Sequence, residues 1–382
     1  MSQSLPKMCV LAATPLSVHF FLKPHLIAFS HHFEVTLACN PKNDAYLPPL
    51  DLPVRQVAVG IARKISPLRD LVTLFELYRL FRREHFDLVV SVAPKAGLLG
   101  MLAAVLAGVT CRVHIFQGEV WASKRGPMRT LLKAMDRIIA QAAHHVLAVG
   151  PGERCFLEEQ GITRPGQVQV LGAGSISGVD MERFRPDSEA RSRFRKTHGI
   201  PDDAVVCLFL GRFTADKGVV DLVRAFALCS EENSNLWLVL AGPDEEGVSQ
   251  QLRAALKDEM SRRMLIRGFT HTPEHYLAAA DFLCLPSYRE GFSMVVIEAA
   301  AAGIPTIGSR IYGVSDAIVE NETGLLVAPG DVPQLALALS RLAEDGALRA
   351  RLALAGRVRV ENEFNQEKVV AGYVNYFQGL LS

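Results

Sequence analysis

The chain has 382 residues, which is too many for one ordinary hydrophobic core and suits two domains of roughly 150–200 residues each. Hydrophobic residues make up 49% and charged residues 21% of the chain, a composition that excludes a disordered or fibrous protein. The formal net charge of +1 argues against a general nucleic-acid-binding protein.

Charge differs between the two halves of the chain. Residues 1–180 contain 19 Lys and Arg against 13 Asp and Glu, whereas residues 181–382 contain 22 against 27. This asymmetry predicts that the N-terminal half meets an anionic surface or ligand, with a chance distribution as the alternative. The seven cysteines are scattered without a C-x-x-C pair, and most lie in apolar runs, which predicts buried thiols in a reducing cytosol. Apolar runs too short for a signal peptide or a membrane span predict a soluble or peripheral protein.

Short apolar runs alternate with segments of helical periodicity throughout the chain. The first half contains six predicted strands: Met8–Ala13, Glu34–Ala38, Asp87–Val92, Arg112–Phe116, His145–Val149 and Gln167–Leu171. The helices predicted among them are Leu68–Phe81, Gly97–Leu106, Met128–Ala143 and Gly152–Gln160. The second half contains strands Val205–Leu210, Leu236–Ala241, Met264–Arg267, Phe282–Leu285, Thr306–Gly308 and Leu325–Val327. Its helices are Ser188–His198, Gly218–Cys229, Val248–Lys257, Thr272–Ala279, Met294–Ala302 and Val332–Glu344.

Strand–helix alternation with nearly continuous apolar strands predicts parallel sheets covered on both faces, and two such series predict two doubly wound α/β domains. Loop-like sequence at 172–178 and a charged helical stretch after it place the hinge near residues 180–200. The predicted domains are residues 1–185 and 186–365. In both, the carboxyl ends of the strands are the expected ligand-binding edges.

The loop from Gly211 to Gly218 follows a predicted strand and opens a helix. Two glycines, Arg212 and Lys217 lie where backbone N–H groups point away from a helix, an arrangement that suits a diphosphate. The order of residues is not that of a P-loop. An ordinary solvated turn is the alternative interpretation.

A second loop, residues 286–298, follows the strand Phe282–Leu285. Glu290 lies in the loop, and Glu298 lies about one turn along the helix that begins near Ser293, so both carboxylates can face one ligand. Glu298 is enclosed in an apolar run, where an unpaired charge is costly, which favours a function over a solvated helix face. The N–H groups of residues 291–293 are placed to meet a phosphate or sugar oxygen.

The sequence of residues 283–306, LCLPSYREGFSMVVIEAAAAGIPT, resembles the signature of glycosyltransferase family 4, including its E-x7-E motif. The loop Gly211–Gly218 resembles the diphosphate loop of that family. Gly178-Val-Asp180 with Phe184 and Pro186 is similar to its interdomain segment, and residues 321–326, NETGLL, match its N-x-x-G-L-L turn. The matches occur in the family's order over about residues 170–330.

This resemblance implies a GT-B fold, in which two Rossmann-like domains face each other across a cleft, and retaining transfer from a nucleotide sugar. It also implies that the C-terminal helix 366–382 returns to the N-terminal domain. The implied catalytic residues are Arg212 and Lys217 on the diphosphate and Glu290 on the donor sugar. The implied donor-binding residues are Gly211, Arg267, Gly268, Phe269, Gly291, Phe292, Ser293 and Glu298, the last of these on the ribose.

The chain contains no D-x-D sequence, so we expect a metal-independent site without a cofactor, whose positive charge comes from Arg and Lys. UDP is expected over GDP on family frequency alone. No nucleophile is positioned for a covalent intermediate, which favours a front-face mechanism in which the departing phosphate takes the proton of the acceptor.

The N-terminal half departs from the family pattern at two places. Thr14-Pro-Leu-Ser17 stands where a glycine pair is common, and Gln117 precedes Gly118 where many members have a histidine. Ser17, Gln117 and Gly118 are the predicted acceptor-side residues, with Glu119 as a weaker candidate. His114 is interpreted as a core or wall residue.

Two basic amphipathic stretches, residues 63–83 and 121–139, suit an anionic membrane surface, and ordinary helices packed on a sheet are the alternative. With the positive charge of this half, they predict a polyprenyl-diphosphate-linked saccharide as acceptor, as in family members that extend lipid-linked surface glycans.

Three other functions remain as alternatives. A non-hydrolysing nucleotide-sugar epimerase shares the architecture but fits the Glu290–Glu298 spacing poorly. A nicotinamide dehydrogenase is disfavoured because Cys155 occupies the position of the third glycine after Gly150-Pro-Gly152. A non-catalytic sugar-binding protein would retain the fold without needing all four of the charged site residues.

Overall fold

The computed structural model describes residues 5–43, 49–62, 65–230, 233–254 and 258–382. The chain forms two compact units, of which the first extends to Gly178 and includes Gln366–Ser382, and the second is Val179–Asn365. The domain boundary predicted between residues 185 and 186 lies seven residues beyond this division. Segment 366–382, expected to return to the N-terminal domain, belongs to the first unit.

The first unit is built on a seven-stranded parallel sheet of order β3-β2-β1-β4-β5-β6-β7. All five residues of its central strand β4 are buried, as expected for a parallel strand with helices on both faces. The strands are β1 Lys7–Leu11, β2 Glu34–Cys39, β3 Arg55–Ala58, β4 Leu88–Val92, β5 Cys111–Phe116, β6 His145–Ala148 and β7 Val168–Val170.

Helices α3, α4 and α5 of the first unit are neighbours in one layer. The C-terminal helix α15 packs on α2, where the ring of His25 meets Tyr373 edge-on at 4.8 Å and Phe29 meets Phe377 at 5.4 Å. The helices are α1 Pro15–Ser17, α2 Lys23–Phe29, α3 Pro67–Glu84, α4 Pro94–Ala107, α5 Gly126–Ala142, α6 Pro151–Glu159 and α15 Gln366–Gly379, with a π-helical turn at Val18–Leu22 and a 3-10 turn at Val120–Ser123.

The second unit contains a six-stranded parallel sheet of order β10-β9-β8-β11-β12-β13. Its strands are β8 Val205–Leu210, β9 Leu236–Ala241, β10 Met264–Arg267, β11 Phe282–Leu285, β12 Thr306–Ser309 and β13 Gly324–Val327. Its helices are α7 Ser188–His198, α8 Val219–Cys229, α9 Ser249–Ala254, α10 Asp258–Ser261, α11 Pro273–Ala279, α12 Met294–Ala301, α13 Val332–Glu344 and α14 Gly346–Arg359, with a 3-10 turn at Ala215–Lys217 and a π-helical turn at Val360–Phe364.

All twelve predicted strands are present within two residues at each end, because long buried apolar runs leave few other solutions. Strand β3 was not predicted: it lies at the edge of its sheet and has no fully buried residue, so its sequence lacks the apolar signal. Helix α14 was also not predicted. The predicted helix Val248–Lys257 corresponds to α9, and its last three residues lie outside the described residues.

Among the described residues, no helix combines the length and apolar character needed to cross a membrane.

Candidate functional site

The strand order of the second sheet reverses between β8 and β11, which are neighbours although they are not consecutive in sequence. In a doubly wound sheet, ligands bind beyond the carboxyl ends of the strands at this switch point. The loop after β8 carries Lys217 and the loop after β11 carries Glu290. Two of the three predicted catalytic residues, Lys217 and Glu290, therefore meet at the place where this architecture forms its binding crevice.

Lys217 and Glu290 form an ion pair, in which Nζ of the lysine lies 2.6 Å from Oε1 of the glutamate. The hydroxyl of Ser287 donates a second hydrogen bond, of 2.9 Å, to the same oxygen. The side chains of Lys217 and Glu290 are only 16% and 13% exposed, so water screens the pair little. The ammonium group is thereby held at a defined position, available to a second anion such as a phosphate.

Glycines fix the course of the loop that carries Lys217. Gly218 has a φ of 66°, and a Cβ atom there would overlap the carbonyl oxygen of Pro286. Behind the loop, a Cβ on Gly242 would overlap the carbonyl oxygen of Gly211. Only glycine at positions 218 and 242 permits these backbone approaches, which bring the Gly211–Gly218 loop against the loops after β9 and β11.

Arg212 is paired with an acidic residue of the loop after β9. Its guanidinium lies 2.7 Å from the carboxylate of Glu245, and both side chains are 41% exposed. The backbone N–H of Ala215 donates a 2.9 Å hydrogen bond to the carboxylate of Glu246. Because exposed ion pairs contribute little to stability, the guanidinium can exchange Glu245 for a more highly charged anion at small cost.

A further set of contacts, between the loop after β11 and the segment of Asp216 and Asp221 that follows β8, was not predicted from the sequence. Arg289 forms a 2.9 Å ion pair with Asp216, and the hydroxyl of Tyr288 donates a 2.6 Å hydrogen bond to Asp221. Burial favours the neutral acid, but the Thr214 hydroxyl and the Arg289 charge hold the pKa of Asp216 below its ordinary value. These contacts hold the chain in place on both sides of Lys217. Nothing in the local sequence indicates that Arg289 pairs with Asp216 or that Tyr288 pairs with Asp221.

The segment 291–293 is fixed in the fold by both side-chain and backbone contacts. Phe292 is buried and packs its ring 5.3 Å from that of Phe364, so only its backbone can face a ligand. The N–H of Ser293 donates a 3.0 Å hydrogen bond to the carbonyl of Gly313 and is thus already used by the protein. A Cβ on Gly313 would overlap the carbonyl oxygen of Gly291, so this close approach also depends on glycine.

Glu298 is the fifth residue of α12 and is partly buried. Its charged neighbours are Arg183 and Glu274, which form an ion pair of 2.9 Å with each other. Removal of the carboxyl from water raises the pKa of Glu298 to about 7; Arg183 opposes this rise and Glu274 adds to it. The carboxyl group therefore changes charge near neutral pH, a property that residues in binding sites often have.

Arg267 is the last residue of β10, and Gly268 and Phe269 follow it at the same edge of the sheet. The N–H of Gly242 lies 3.2 Å from the carbonyls of both Arg267 and Gly268, which connects this loop to the one that supports Gly211. Phe269 is 37% exposed, and its ring meets His271 edge-on at 4.8 Å. Apart from Gly268 and its two chain neighbours, no atom of the residues that the structure describes would lie within 4 Å of a Cβ at position 268, so the surface beside the aromatic ring is open.

In the first unit, the predicted acceptor-side residues follow β1 and β5 at the carboxyl edge of the sheet. Ser17 is held in the first helical turn by a 3.3 Å hydrogen bond from its N–H to the Thr14 hydroxyl. Gln117 is partly buried, and the N–H of Gly118 donates to the carboxylate of Glu153. Because Glu153 also accepts a 2.8 Å hydrogen bond from the N–H of Val149, it joins the loops after β5 and β6.

His114 is buried in the core of the first unit. Its Nδ1 lies 2.8 Å from the hydroxyl of Ser91, and burial lowers its pKa to about 3. The ring packs edge-on against Phe116, with centroids 4.5 Å apart. These contacts agree with its interpretation as a core residue. Ala93, which follows β4 at the switch point of this sheet, has a φ of 71°, which is unusual for a residue other than glycine and was not anticipated.

Two family models match the chain in succession. Residues 22–174 match the glycosyl transferase 4-like domain, and residues 190–359 match glycosyl transferases group 1. A capsular polysaccharide biosynthesis glycosyltransferase, CapM of Staphylococcus aureus, is 28% identical over 309 residues, which cover 81% of each chain. The UDP-Gal:alpha-D-GlcNAc-diphosphoundecaprenol alpha-1,3-galactosyltransferase of Escherichia coli is also 28% identical and covers 89% of this chain and 88% of its own.

Solved structures with the same architecture include sucrose-phosphate synthase of Thermosynechococcus elongatus, with a TM-score of 0.80 and 22% identity over 98% of this chain and 99% of the other. HepE of Anabaena in complex with UDP has a TM-score of 0.81 and 17% identity, and it covers 98% of this chain and 100% of the other. Together with the two parallel sheets, these likenesses confirm the predicted GT-B fold. The chain belongs to glycosyltransferase family 4, as its motifs predicted, and is a hexosyltransferase of that family.

Proposed function

We propose that the protein transfers a hexosyl or N-acetylhexosaminyl group, with retention of anomeric configuration, from a UDP-sugar to a lipid-linked saccharide in the synthesis of a cell-surface glycan. The observation that carries this proposal is the Lys217–Glu290 pair at the switch point of the second sheet. The names of two relatives support the kind of donor and acceptor, because one transfers galactose from UDP-Gal to a diphosphoundecaprenol-linked sugar and the other builds capsular polysaccharide.

Arg212 and Lys217 bind the diphosphate of the donor in this proposal. Both cations stabilise the negative charge that accumulates on the leaving phosphate as the bond to the anomeric carbon breaks. The exposed ring of Phe269, together with the open surface at Gly268, offers a place for the nucleotide base. Glu298, in its ionised form, accepts hydrogen bonds from the ribose hydroxyls.

The reaction is a front-face displacement. The bond from the anomeric carbon to the phosphate oxygen breaks, the bond to the acceptor oxygen forms on the same face of the sugar, and the acceptor proton passes to the departing phosphate. Glu290 positions the donor sugar through its hydroxyls and keeps the lysine ammonium in place. We propose that this chemistry is metal-independent, since Arg212 and Lys217 supply the positive charge that a metal ion provides elsewhere.

The acceptor side is formed by the first unit, with Ser17, Gln117 and Gly118 at the carboxyl edge of its sheet. A polyprenyl-diphosphate-linked acceptor resides in a membrane, so we propose that the protein works as a peripheral protein on an anionic membrane surface, on its cytoplasmic side. The excess of basic residues in the N-terminal half supports this location.

Thermal-shift measurements test the donor site. We expect UDP and at least one UDP-sugar to stabilise the full chain more than GDP and GDP-mannose do, since stabilisation rises with ligand concentration relative to its dissociation constant. The shift should be lost in Lys217→Ala and kept in Lys196→Ala, which removes an exposed lysine of α7 in the same unit. An equal response of the Lys217→Ala variant would contradict the site.

Product analysis tests the reaction. Incubation of a stabilising UDP-sugar with a lipid-diphosphate-linked saccharide should give an α-linked product from an α-linked donor. Release of a C2-inverted sugar nucleotide without an acceptor would indicate an epimerase. Binding without any transfer or donor hydrolysis would indicate a non-catalytic sugar-binding protein.

A further inference from the structure

Helix α3, Pro67–Glu84, exposes a row of large apolar side chains. Leu68, Leu71, Val72 and Phe75 are 82%, 64%, 59% and 57% exposed. Their spacing of three and four residues places them on one stripe of the helix, and the opposite stripe buries Leu77 among others. Single exposed apolar residues are ordinary on a protein surface, but a contiguous row of four marks a surface that is covered in use.

The same stripe becomes cationic in the second half of the helix. At 100° per residue, Arg79, Arg82 and Arg83 continue the line of the apolar row to within about 60° of Leu68. All three arginines are exposed, and the guanidinium of Arg79 lies 5.8 Å from the ring centroid of Phe75. The outward stripe is therefore apolar in its first two turns and basic in its last two.

The carboxylates of α3 lie outside this stripe, and Asp70 and Glu84 are each about 160° from Leu68. Asp70 forms a 2.8 Å ion pair with Lys95 of α4, and Glu84 is bound by Arg55 at 2.8 Å and by Arg83. The exposed Glu76 lies at the border of the stripe, about 80° from Leu68 and about 20° beyond Arg83. No carboxylate of α3 lies within about 60° of Leu68, the range that holds the apolar row and the arginines.

The apolar half of α3 lies at the functional edge of the first unit. In a parallel α/β sheet the helix that follows a strand begins at the carboxyl edge, where Ser17, Gln117 and Gly118 are located. The turn before α5 and the start of α5 lie at this edge too. Lys124 and Arg125 are exposed in the turn, and Met128 in the first turn of α5 is 49% exposed. Residues 120–135 contain no acidic side chain, so this segment has the same basic and apolar character.

We propose that the outward stripe of α3 inserts into an anionic phospholipid bilayer, with Leu68, Leu71, Val72 and Phe75 among the acyl chains and Arg79, Arg82 and Arg83 at the lipid phosphates. The apolar row spans about 10 Å along the helix, and the arginines extend about 12 Å further. Because the apolar half enters more deeply, the carboxyl edge of the sheet tilts toward the membrane. This orientation would present the predicted acceptor-side loops to a lipid-linked substrate. The role given to membrane insertion therefore rests on the proposed function.

Charge decides between a bilayer and a second copy of the chain. A two-fold axis through the middle of the stripe would set the arginines against the apolar row of the second copy, and an axis parallel to the helix would set them against its arginines. An axis through the apolar row would join the two apolar rows over only about 10 Å of helix and leave the arginines without an anionic partner. An anionic bilayer offers hydrocarbon and phosphate at two depths, which matches the order of the two halves of the stripe.

Vesicle binding tests the proposal. The full chain should bind vesicles of phosphatidylcholine with phosphatidylglycerol, weakly at high salt, and should bind pure phosphatidylcholine vesicles poorly. The double variant Leu71→Asn with Phe75→Ser should lower the partition coefficient at least about tenfold, because each buried methylene contributes to membrane affinity. The matched control is Leu337→Asn, which replaces a leucine that is 72% exposed on α13 of the second unit.

Equal vesicle binding by the α3 variant and the wild-type chain would overturn the proposal. It would also be overturned if the wild-type chain were a dimer without vesicles and the α3 variant a monomer, since the stripe would then be an interface between copies. A UDP-sugar thermal shift and transfer to a water-soluble, short-chain acceptor should be unchanged in the variant. If the wild-type chain showed neither the UDP-sugar thermal shift nor transfer to the acceptor, but still bound vesicles through α3, only the proposed function would be contradicted.

Discussion

Lys217 and Glu290 are 73 residues apart in the chain, yet their charged atoms lie 2.6 Å apart between the loops after β8 and β11. The pair lies where the strand order of this sheet reverses, between β8 and β11. At such a switch point the loops after the two neighbouring strands run to opposite sides of the sheet and leave a crevice for a ligand. This contact joins a lysine and a glutamate from two distant motifs in one ion pair.

Replacement of Lys217 by alanine should lower kcat by about 10²–10³-fold, because the leaving phosphate loses a preorganised positive charge. Glu290 would also lose its ion-pair partner, so the variant should be less stable than the wild-type chain. Steady-state kinetics and urea unfolding measure the two effects. The double variant Lys217→Met with Glu290→Gln should regain stability without regaining turnover; recovery of turnover would contradict the role of the lysine.

Replacement of Arg212 by alanine should also lower turnover by about 10²-fold or more, with little change in stability, since its ion pair with Glu245 is exposed. Glu245→Gln is the informative partner variant, because it frees the guanidinium for the diphosphate. We expect it to bind a UDP-sugar as tightly as the wild-type chain or more tightly. A loss of affinity in Glu245→Gln, measured by calorimetry, would show that the carboxylate contributes to donor binding and does not merely neutralise the arginine.

Glu298 should make stability depend on pH. Its pKa is about 7 in the folded chain and near the ordinary 4.5 in the unfolded chain, so the folded state holds the proton more tightly. The resulting stabilisation is complete below pH 4.5 and is lost as the pH rises through 7, a loss of about 3 kcal/mol. Urea unfolding from pH 4.5 to 8 should show this loss in the wild-type chain and a smaller one in Glu298→Gln.

The same titration should affect the donor in the opposite direction. Ribose hydroxyls donate to an ionised carboxylate, so the affinity for a UDP-sugar should rise between pH 6 and 8 in the wild-type chain. The increase should be absent in Glu298→Gln. Parallel pH profiles of affinity for the two proteins would contradict the assignment of Glu298 to the ribose.

Gly97 in α4 makes room for the ring of His114. A Cβ atom at position 97 would overlap the imidazole, so Gly97→Ala should destabilise the first unit by about 1–3 kcal/mol. Gly372→Ala is the control, because in the described part of the chain nothing outside the backbone of helix α15 itself lies within 4 Å of a Cβ added there. This change should stabilise the protein by about 0.5–1 kcal/mol. Equal denaturation midpoints for both variants would contradict the packing of His114 against α4.

Much of the fold could be predicted from the sequence because its signals are local. The strands β8, β9, β10 and β11 were predicted to the residue, since each is an apolar run bounded by turns or helices. The alternation of strands and helices predicted two doubly wound sheets, and the glycine-containing loops after β8 and β11 identified Lys217 and Glu290. Edge strand β3 was missed because a half-exposed strand of four residues has no comparable pattern.

Tertiary structure decided which groups of the site meet. The pairs Lys217–Glu290, Arg289–Asp216 and Tyr288–Asp221 join segments 67–73 residues apart, and such partners have no signal in local sequence. Burial decided the rest: it places the ring of Phe292 in the core, leaves that of Phe269 open to a ligand and raises the pKa of Glu298. The sequence by itself determined the elements and the chemistry of their loops, because both depend on neighbours in the chain, whereas distances, burial and charge pairing depend on neighbours that only folding brings together.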